Sequence, residues 1–349
     1  MSSPPAAPDS LCILRLSAIG DACHVLPVLR TLQQAWPRTR FTWVIGAVES
    51  RLMGCIEEVE FIIVDKRPNW AGAHELARSL AARRFDALLH MQVALRASLI
   101  ARRVRAARKI GFDRARAREL QWLFTDTRIA PRAREHVLDS FFGFAAALGV
   151  PRPQELRWDF PLPPAAQERA AQLIPDGAGT LLISPCSSHR LRDWRPERYA
   201  AAADHATRVH GLNVILCGGS SPREREMGAA IEAAARTRVR NLIGRDTLPE
   251  LLALLARARA LITPDSGPAH MATMVRTPVI GLYAATNPER SGPYLSRQWC
   301  VNAYAAAAHR FRGRPPEALP WTEKIEEPGV MDLITVEEVT AKLDGLLAG

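Results

Sequence analysis

The sequence predicts an α/β protein made of two halves, each carrying a mostly parallel sheet. Three observations predict it. Residues 11–21 (LCILRLSAIGD) form an apolar run that ends in a small-residue loop and a carboxylate. Residues 260–270 (ALITPDSGPAH) repeat that design in the second half. Around both, short apolar runs alternate with stretches of helical apolar spacing, the pattern of parallel strands joined by crossover helices. A strand that passes through a slim loop into a helix presents unpaired backbone N–H groups to an anion. Two such devices, one per half, predict nucleotide-binding-type halves that face each other across a cleft, with ligands at the carboxyl ends of the strands.

In the first half, apolar runs predict strands over 11–16, 41–45, 61–64, 87–91 and 109–112. Helical spacing predicts helices over 22–35, 73–84 and 93–106, and an apolar helix over 136–148 closes the half. Pro27 falls inside the first helix and predicts a kink or a separate first turn there. Residues 151–164 (PRPQELRWDFPLPP) are too rich in proline for regular helix and mark the linker. The domains are therefore expected over 1–160 and 161–349. In the second half, strands are expected over 180–184, 213–217, 260–263 and 278–283, and helices over 196–210, 224–236, 248–257 and 269–274. Thr247 with Glu250, and Thr335 with Glu338, are capping-box pairs that open two helices.

Composition narrows the class of protein. Of the 349 residues 48% are hydrophobic and 23% charged, a balance that excludes a disordered chain. No apolar stretch approaches the roughly 20 residues needed to span a bilayer. Residues 1–10 lack the basic and apolar regions of a signal peptide, so a cytoplasmic protein is expected. The six cysteines are scattered, with no C-x-x-C pair, and read as buried free thiols rather than a disulfide framework or zinc cage.

The formal charge is +10, and its placement matters more than its size. Arg96, Arg102, Arg103, Arg105, Arg108, Lys109, Arg114, Arg116 and Arg118 crowd one stretch of the first half. Such a cluster suits phosphate groups on nucleic acid or an anionic lipid surface, or forms a solvated basic face.

Three loops at strand ends carry candidate chemistry. Ser17, Ala18 and Gly20 keep the first loop slim, and Asp21 projects at the helix start, as a helix cap or as a catalytic acid or base. In the loop at 263–270, Asp265 can cap, Ser266 and Gly267 offer donors suited to a diphosphate, and His270 is either structural or a donor to a sugar or phosphate oxygen. In the loop at 184–194, Ser187 and Ser188 with Arg190 and Arg192 make a phosphate clamp, because guanidinium pairs bidentately with phosphate oxygens. Gly218 and Gly219 follow the next strand, with Glu224 and Glu226 beyond them as acceptors for ribose hydroxyls.

At this point the residues carry a resemblance. LRLSAIGDACHVLPVLRTLQQAWP, SPCSSHRLRDWRPERYAAAAD, LCGGSSPRERE, LIGRDTLPELLALL, TPDSGPAHMAT and GLYAATNPERSGPY occur in this order from Leu11 towards the final helix. Together they resemble glycosyltransferase family 9, the bacterial lipopolysaccharide heptosyltransferases that use ADP-heptose. The resemblance implies a GT-B architecture of two facing Rossmann-like domains, with acceptor in the first and sugar nucleotide in the second. It implies an inverting, metal-independent transfer with no cofactor. Asp21 takes the catalytic-base position and Asp265 the donor-sugar contact. Ser266, Gly267 and His270 fall in the diphosphate loop with Ser187 and Ser188 opposite, and Glu224 matches the ribose-binding acid. The sequence departs from the family in two places. Arg192 stands where lysine is usual, which keeps the charge but changes its geometry, and Cys186 stands where glycine is common.

The residues fit that chemistry without the family name. A carboxylate at Asp21 suits removal of an acceptor hydroxyl proton, and Arg192 with the helix start after Asp265 suits a departing diphosphate. On this reading Ser17, Gly20, Arg96 and Arg114 face the acceptor, an anionic lipopolysaccharide core. The basic stretch would also dock the enzyme at the inner membrane's cytoplasmic face. Other readings are transfer of a similar sugar to a protein or another glycan, and a non-catalytic nucleotide-binding protein. Nucleic-acid binding is disfavoured because the basic stretch lacks interleaved aromatics. A nicotinamide dehydrogenase is disfavoured because no G-x-G-x-x-G follows the first strand.

Overall fold

Each of two fully buried apolar strands, one early and one late in the chain, lies at the centre of its own six-stranded parallel sheet. A computed structural model describes residues 7–65 and 70–348. Lys66 and most of the polar lead-in lie outside the described residues. The chain divides into two units, Met1–Pro161 and Leu162–Gly349.

The first unit runs β1 (Ser10–Leu14), α1 (Ile19–Ala35), β2 (Arg40–Gly46), α2 (Ala47–Met53), β3 (Val59–Val64), α3 (Trp70–Ala81), β4 (Phe85–His90), α4 (Leu95–Arg103), β5 (Ala106–Gly111), β6 (Thr127–Arg128) and α5 (Val137–Ala147). Its strands are ordered β3-β2-β1-β4-β5-β6, and every pairing is parallel. Leu11 pairs with Phe41 on one side and Ala87 on the other. All five residues of β1 are buried, which is why it reads as a continuous apolar run rather than an alternating one.

The second unit runs α6 (Pro164–Leu173), β7 (Thr180–Ile183), α7 (Pro196–His210), β8 (Asn213–Leu216), α8 (Pro222–Ala234), β9 (Val239–Asn241), α9 (Leu248–Arg257), β10 (Ala260–Pro264), α10 (Gly267–Met274), β11 (Val279–Tyr283), α11 (Pro288–Ser291), β12 (Val301–Asn302), α12 (Tyr304–Arg312) and α13 (Val336–Ala348). The order β12-β11-β10-β7-β8-β9 repeats the plan of the first sheet, with β7 in the place of β1 and β10 in the place of β4. In both sheets the strand order reverses at the central pair. Right-handed crossovers on the two sides of that reversal put helices on both faces and leave a crevice at the carboxyl ends.

The expected kink at Pro27 is absent, and α1 runs unbroken from Ile19 to Ala35. Proline removes the N–H that would bond the Cys23 carbonyl four residues earlier. The indole N–H of buried Trp158 donates to that carbonyl at 3.1 Å, so the orphaned acceptor is satisfied from the proline-rich stretch near the unit boundary.

Three other boundaries differ from expectation. α4 stops at Arg103, and Ala106, expected as the last residue of that helix, opens β5 instead, three residues before the expected strand start at Lys109, because Phe85 of β4 pairs with Ala106. Tertiary pairing there outweighs helix propensity. α6 begins at Pro164, the last residue of the supposed linker, with proline at the first helical position where its missing N–H costs nothing. α8 begins at Pro222 rather than Glu224. The short elements α2, β6, β9, β12 and α12 lack a periodic signal long enough to read.

Both expected capping boxes form. Glu250 accepts from the Thr247 N–H at 2.7 Å, and Glu338 accepts from the Thr335 N–H at 2.9 Å. All six cysteines are free thiols, five of them buried and Cys55 half-buried. No helix among the described residues is long and apolar enough to cross a membrane.

Candidate active site

The carboxyl edge of the first sheet gathers groups from the loops after β1 and β4. Asp21 lies in the first turn of α1, where its Oδ2 accepts from the Ala18 N–H at 3.3 Å and pairs with the Arg15 guanidinium. Asp21 therefore reaches back to its helix start and also keeps 28% of its side chain exposed at the sheet edge. Arg15 is more enclosed. Its Nη1 donates to the Met91 carbonyl at 2.5 Å and its guanidinium stacks over Phe141. The first loop is tied to the loop after β4 by Gln92, whose Oε1 accepts from Leu16 N at 2.6 Å and whose Nε2 donates to Ser17 Oγ at 3.3 Å. Gln121, fully buried, fixes that second loop by donating to the carbonyls of His90 and Gln92 at 2.8 and 3.0 Å. Gly20 is buried in the turn.

Arg15, Gln92 and Gln121 were not anticipated. Arg15 and Gln92 follow apolar strands directly, so the rule that ligands gather at carboxyl ends marks both positions. Gln121 comes from a 3-10 turn with no apolar period, and the sequence carries no signal for it.

The basic stretch divides between the two edges of the sheet. Arg96 opens α4, and Arg114, Arg116 and Arg118 follow β5, so these four lie at the carboxyl edge. Arg102, Arg103 and Arg105 lie at the far end of α4 and the start of β5, at the amino edge. Several of the cations make structural bonds. Arg96 donates to the Asp65 carbonyl, and Arg116 pairs with Asp113 and Glu135. Lys109 Nζ donates to the Ala101 carbonyl at 2.8 Å. Arg114 is exposed, with its guanidinium 5.1 Å from the Trp122 ring centre.

The carboxyl edge of the second sheet is more heavily charged. Ser187 is buried after β7. Its Oγ donates to the Asp265 carbonyl at 2.7 Å and its N–H donates to Asp193 Oδ1 at 2.7 Å, so it joins the two loops of the central strand pair. Ser188 is exposed beside it. Arg192 is only 8% exposed. Its Nε and Nη2 donate to Glu326 Oε1 at 2.8 and 2.6 Å, and its Nη1 lies 3.4 Å from Asp265 Oδ2. Arg223 bonds both Asp193 and the Ser187 carbonyl and holds the serine loop from the other side. Burial raises the Asp193 carboxyl above its ordinary range against the opposing pull of the Ser187 N–H and Arg223. Burial pushes the Cys186 thiol up to about 12, so at neutral pH it is an uncharged filler of the loop.

Asp265 and Ser266 introduce α10. Ser266 is the residue before the helix, and its hydroxyl bonds Thr263 Oγ1 at 2.8 Å rather than capping. The amides of Gly267 and Ala269 open the helix without a side-chain cap at its start, and that is the arrangement that binds anions. His270, in the same turn, is 7% exposed. Glu224 accepts from the Gly219 N–H at 2.8 Å and from Ser221 Oγ at 2.5 Å, while Ser221 Oγ accepts from Glu224 N at 3.3 Å. Ser221 thus caps α8 with its hydroxyl, while the Glu224 carboxylate closes the glycine loop rather than completing a capping box. A Cβ on Gly219 would lie 2.8 Å from Glu224 Oε2, so glycine is what allows the carboxylate to close the loop. Glu326 was not foreseen. It lies 134 residues beyond Arg192 in an irregular segment, and nothing in local spacing announces it.

The central strand pairs thus bring together Ser17, Gly20 and Asp21 in the first unit. In the second unit they bring together Ser187, Arg192, Asp265 and Ser266. Two doubly wound parallel sheets with open, charged loops at their carboxyl edges define an α/β protein of the GT-B fold class. The glycosyltransferase family 9 (heptosyltransferase) profile matches residues 73–318, and the chain belongs to that family. It is 42% identical over 340 residues to the lipopolysaccharide core heptosyltransferase OpsX of Haemophilus influenzae, covering 97% of each chain. Among solved structures it resembles a family 9 glycosyltransferase from Veillonella parvula, with TM-score 0.78, 22% identity and 97% coverage of both chains. It also resembles E. coli heptosyltransferase WaaC with ADP, with TM-score 0.76 and 21% identity, covering 97% of this chain and 99% of that one. The protein is a glycosyltransferase, and these structural likenesses carry its fold.

Proposed function

We propose that the protein transfers a heptose from ADP-heptose to an inner-core lipopolysaccharide acceptor, with inversion at the anomeric carbon. The observation that carries this reading is the 42% identity with a lipopolysaccharide core heptosyltransferase over 97% of both chains. The site geometry supports it. A buried guanidinium, a serine loop and an uncapped helix start in one crevice suit a diphosphate.

In this reading residues 1–160 bind the acceptor and residues 161–349 the donor. Asp21 removes the proton of the acceptor hydroxyl as that oxygen attacks the anomeric carbon from the face opposite the diphosphate. Such a base contributes roughly 10²–10⁴-fold in rate. Ser17 and Gly20 shape the loop that presents it, and Arg96 and Arg114 meet anionic groups of the acceptor. Arg192, Ser187, Ser188, Ser266, Gly267 and His270 receive the charge that develops on the leaving diphosphate. Asp265 accepts from the sugar hydroxyls and Glu224 from the ribose. Fixed cations and amides do the neutralising in this route, which is metal-independent.

We further place the enzyme in the cytoplasm, in peripheral contact with the inner membrane. Leu95, Leu99, Leu120 and Leu123 are exposed beside Arg96, Arg114 and Arg118, and this mixture of apolar and basic side chains suits an anionic lipid surface. The test of the activity is incubation with ADP-heptose and a heptose-deficient lipopolysaccharide core. ADP release matched by gain of one heptose on the core is expected. Transfer from another sugar nucleotide but not from ADP-heptose would overturn the reading.

A further inference from the structure

Away from both sheet edges described above, two histidines and one carboxylate meet between α7 and α13. His205 Nε2 and His210 Nε2 each lie 2.6 Å from the same atom, Asp344 Oδ1, and the two imidazole centroids are 5.6 Å apart. The three side chains are partly exposed, at 25%, 21% and 46%. Since β7 and β8 are parallel, α7 carries the chain back from the carboxyl edge to the amino edge. This cluster therefore belongs to the amino edge of the second sheet, away from the loops assigned to the donor.

We propose that His205, His210 and Asp344 form a binding site for a borderline divalent transition metal such as Zn²⁺, which staples the last helix to α7. Imidazole and carboxylate are the donor set that Zn²⁺ and its neighbours favour. The three candidate ligand atoms lie within 4.8 Å of one another. A tetrahedral ion at about 2.0–2.2 Å from each ligand separates its donors by roughly 3.4 Å, so the two 2.6 Å His–Asp contacts must lengthen, which side-chain rotations supply. The partial exposure leaves the fourth position to water. His210 is the last residue of α7, and Gly211 follows with a φ of +64°, so the chain turns where the second imidazole joins the first. The spacing of His205 and His210 carries no metal signature in sequence, because Asp344 arrives 134 residues after His210. The site is structural and takes no part in the proposed transfer.

The experiment titrates EDTA-treated full-length protein with ZnCl₂ by calorimetry and follows the melting temperature. One Zn²⁺ per chain with micromolar Kd is expected, with a melting temperature that rises with Zn²⁺ because the ion binds only the folded state. Co²⁺ in its place should show the visible absorption of a four-coordinate ion. The His205→Gln/His210→Gln variant should bind Zn²⁺ at least about thirtyfold more weakly and lose the melting shift. Should its circular dichroism show misfolding, His205→Gln and Asp344→Asn singly carry the test, each with an expected loss of about tenfold. Equal zinc stoichiometry and affinity in the wild type and the folded variants would assign the metal to other histidines and overturn the proposal.

Discussion

Glu326 holds Arg192 through a single oxygen, which accepts from both Nε and Nη2 of the guanidinium at 2.8 and 2.6 Å. Asp265 approaches the remaining nitrogen at 3.4 Å, so the cation assigned to the donor diphosphate already faces two carboxylates. Burial raises the Glu326 carboxyl, but the hydrogen bond and charge of Arg192 outweigh it and bring the carboxyl below its usual range. Glu326 is thus an anion that a bound diphosphate must share Arg192 with. Glu326→Gln is expected to tighten ADP binding about threefold, the effect of removing one like charge at several ångströms in a well-solvated cleft. Arg192→Ala is expected to weaken ADP binding as well as slow transfer. Calorimetric titration with ADP checks both. Weaker binding by Glu326→Gln would mean that Glu326 positions the guanidinium rather than competes for it.

The Trp158 indole donates to the Cys23 carbonyl that Pro27 leaves open. Trp158→Phe keeps an aromatic ring but strands a buried acceptor, at a cost of about 1–3 kcal/mol. Chemical denaturation followed on the first unit should register that loss. Unchanged stability would show that water reaches the carbonyl instead.

Glu250 sets a pH dependence. The Thr247 N–H, the Thr247 hydroxyl and Arg169 lower its carboxyl below the ordinary 4.5, against a smaller opposing effect of burial. A carboxyl depressed in the folded state contributes stability above its unfolded value and loses it as pH falls through the folded value. Wild type is therefore expected to exceed Glu250→Gln in melting temperature at pH 6, with the gap closing below about pH 4. A gap that stays constant to pH 3 would remove the charge of Glu250 from the cap.

Leu120 and Leu123 are more than half exposed, at 54% and 58%, beside a basic loop. If they enter a lipid interface, replacing both by serine should weaken binding to anionic vesicles at least about tenfold, through loss of buried apolar area. Flotation assays at low and physiological salt measure it. Binding that is unchanged would leave only electrostatic attraction, or none.

The legible part of this protein lies where a long apolar period or a cap pattern exists. β1, β4, β7 and β10 are buried on both faces, so their runs stand out, and the loops they feed follow directly. That address places Asp21, Ser187, Arg192 and Asp265 at the carboxyl edges, where the structure has them. What escaped reading is held by long-range contacts. Glu326 meets Arg192 from an irregular segment, Gln121 fastens the loop after β4 from a 3-10 turn, and Trp158 completes α1 from the proline-rich stretch. β5 is legible as a strand from Lys109 on, but its start at Ala106 is not, because alanine favours helix until β4 supplies a parallel partner. The basic residues crowd one stretch of sequence, and that proximity does not reveal that α4 carries its cations from one sheet edge to the other.

The claim on which the functional account rests is that Asp21 acts as the base for a transfer whose leaving group the second unit holds. The most direct measurement is turnover of Asp21→Asn with ADP-heptose and a heptose-deficient core, alongside its affinity for ADP. A fall of roughly 10²–10⁴-fold in turnover with ADP affinity unchanged is the expected result. Turnover close to wild type would contradict it and return Asp21 to the role of a helix cap paired with Arg15.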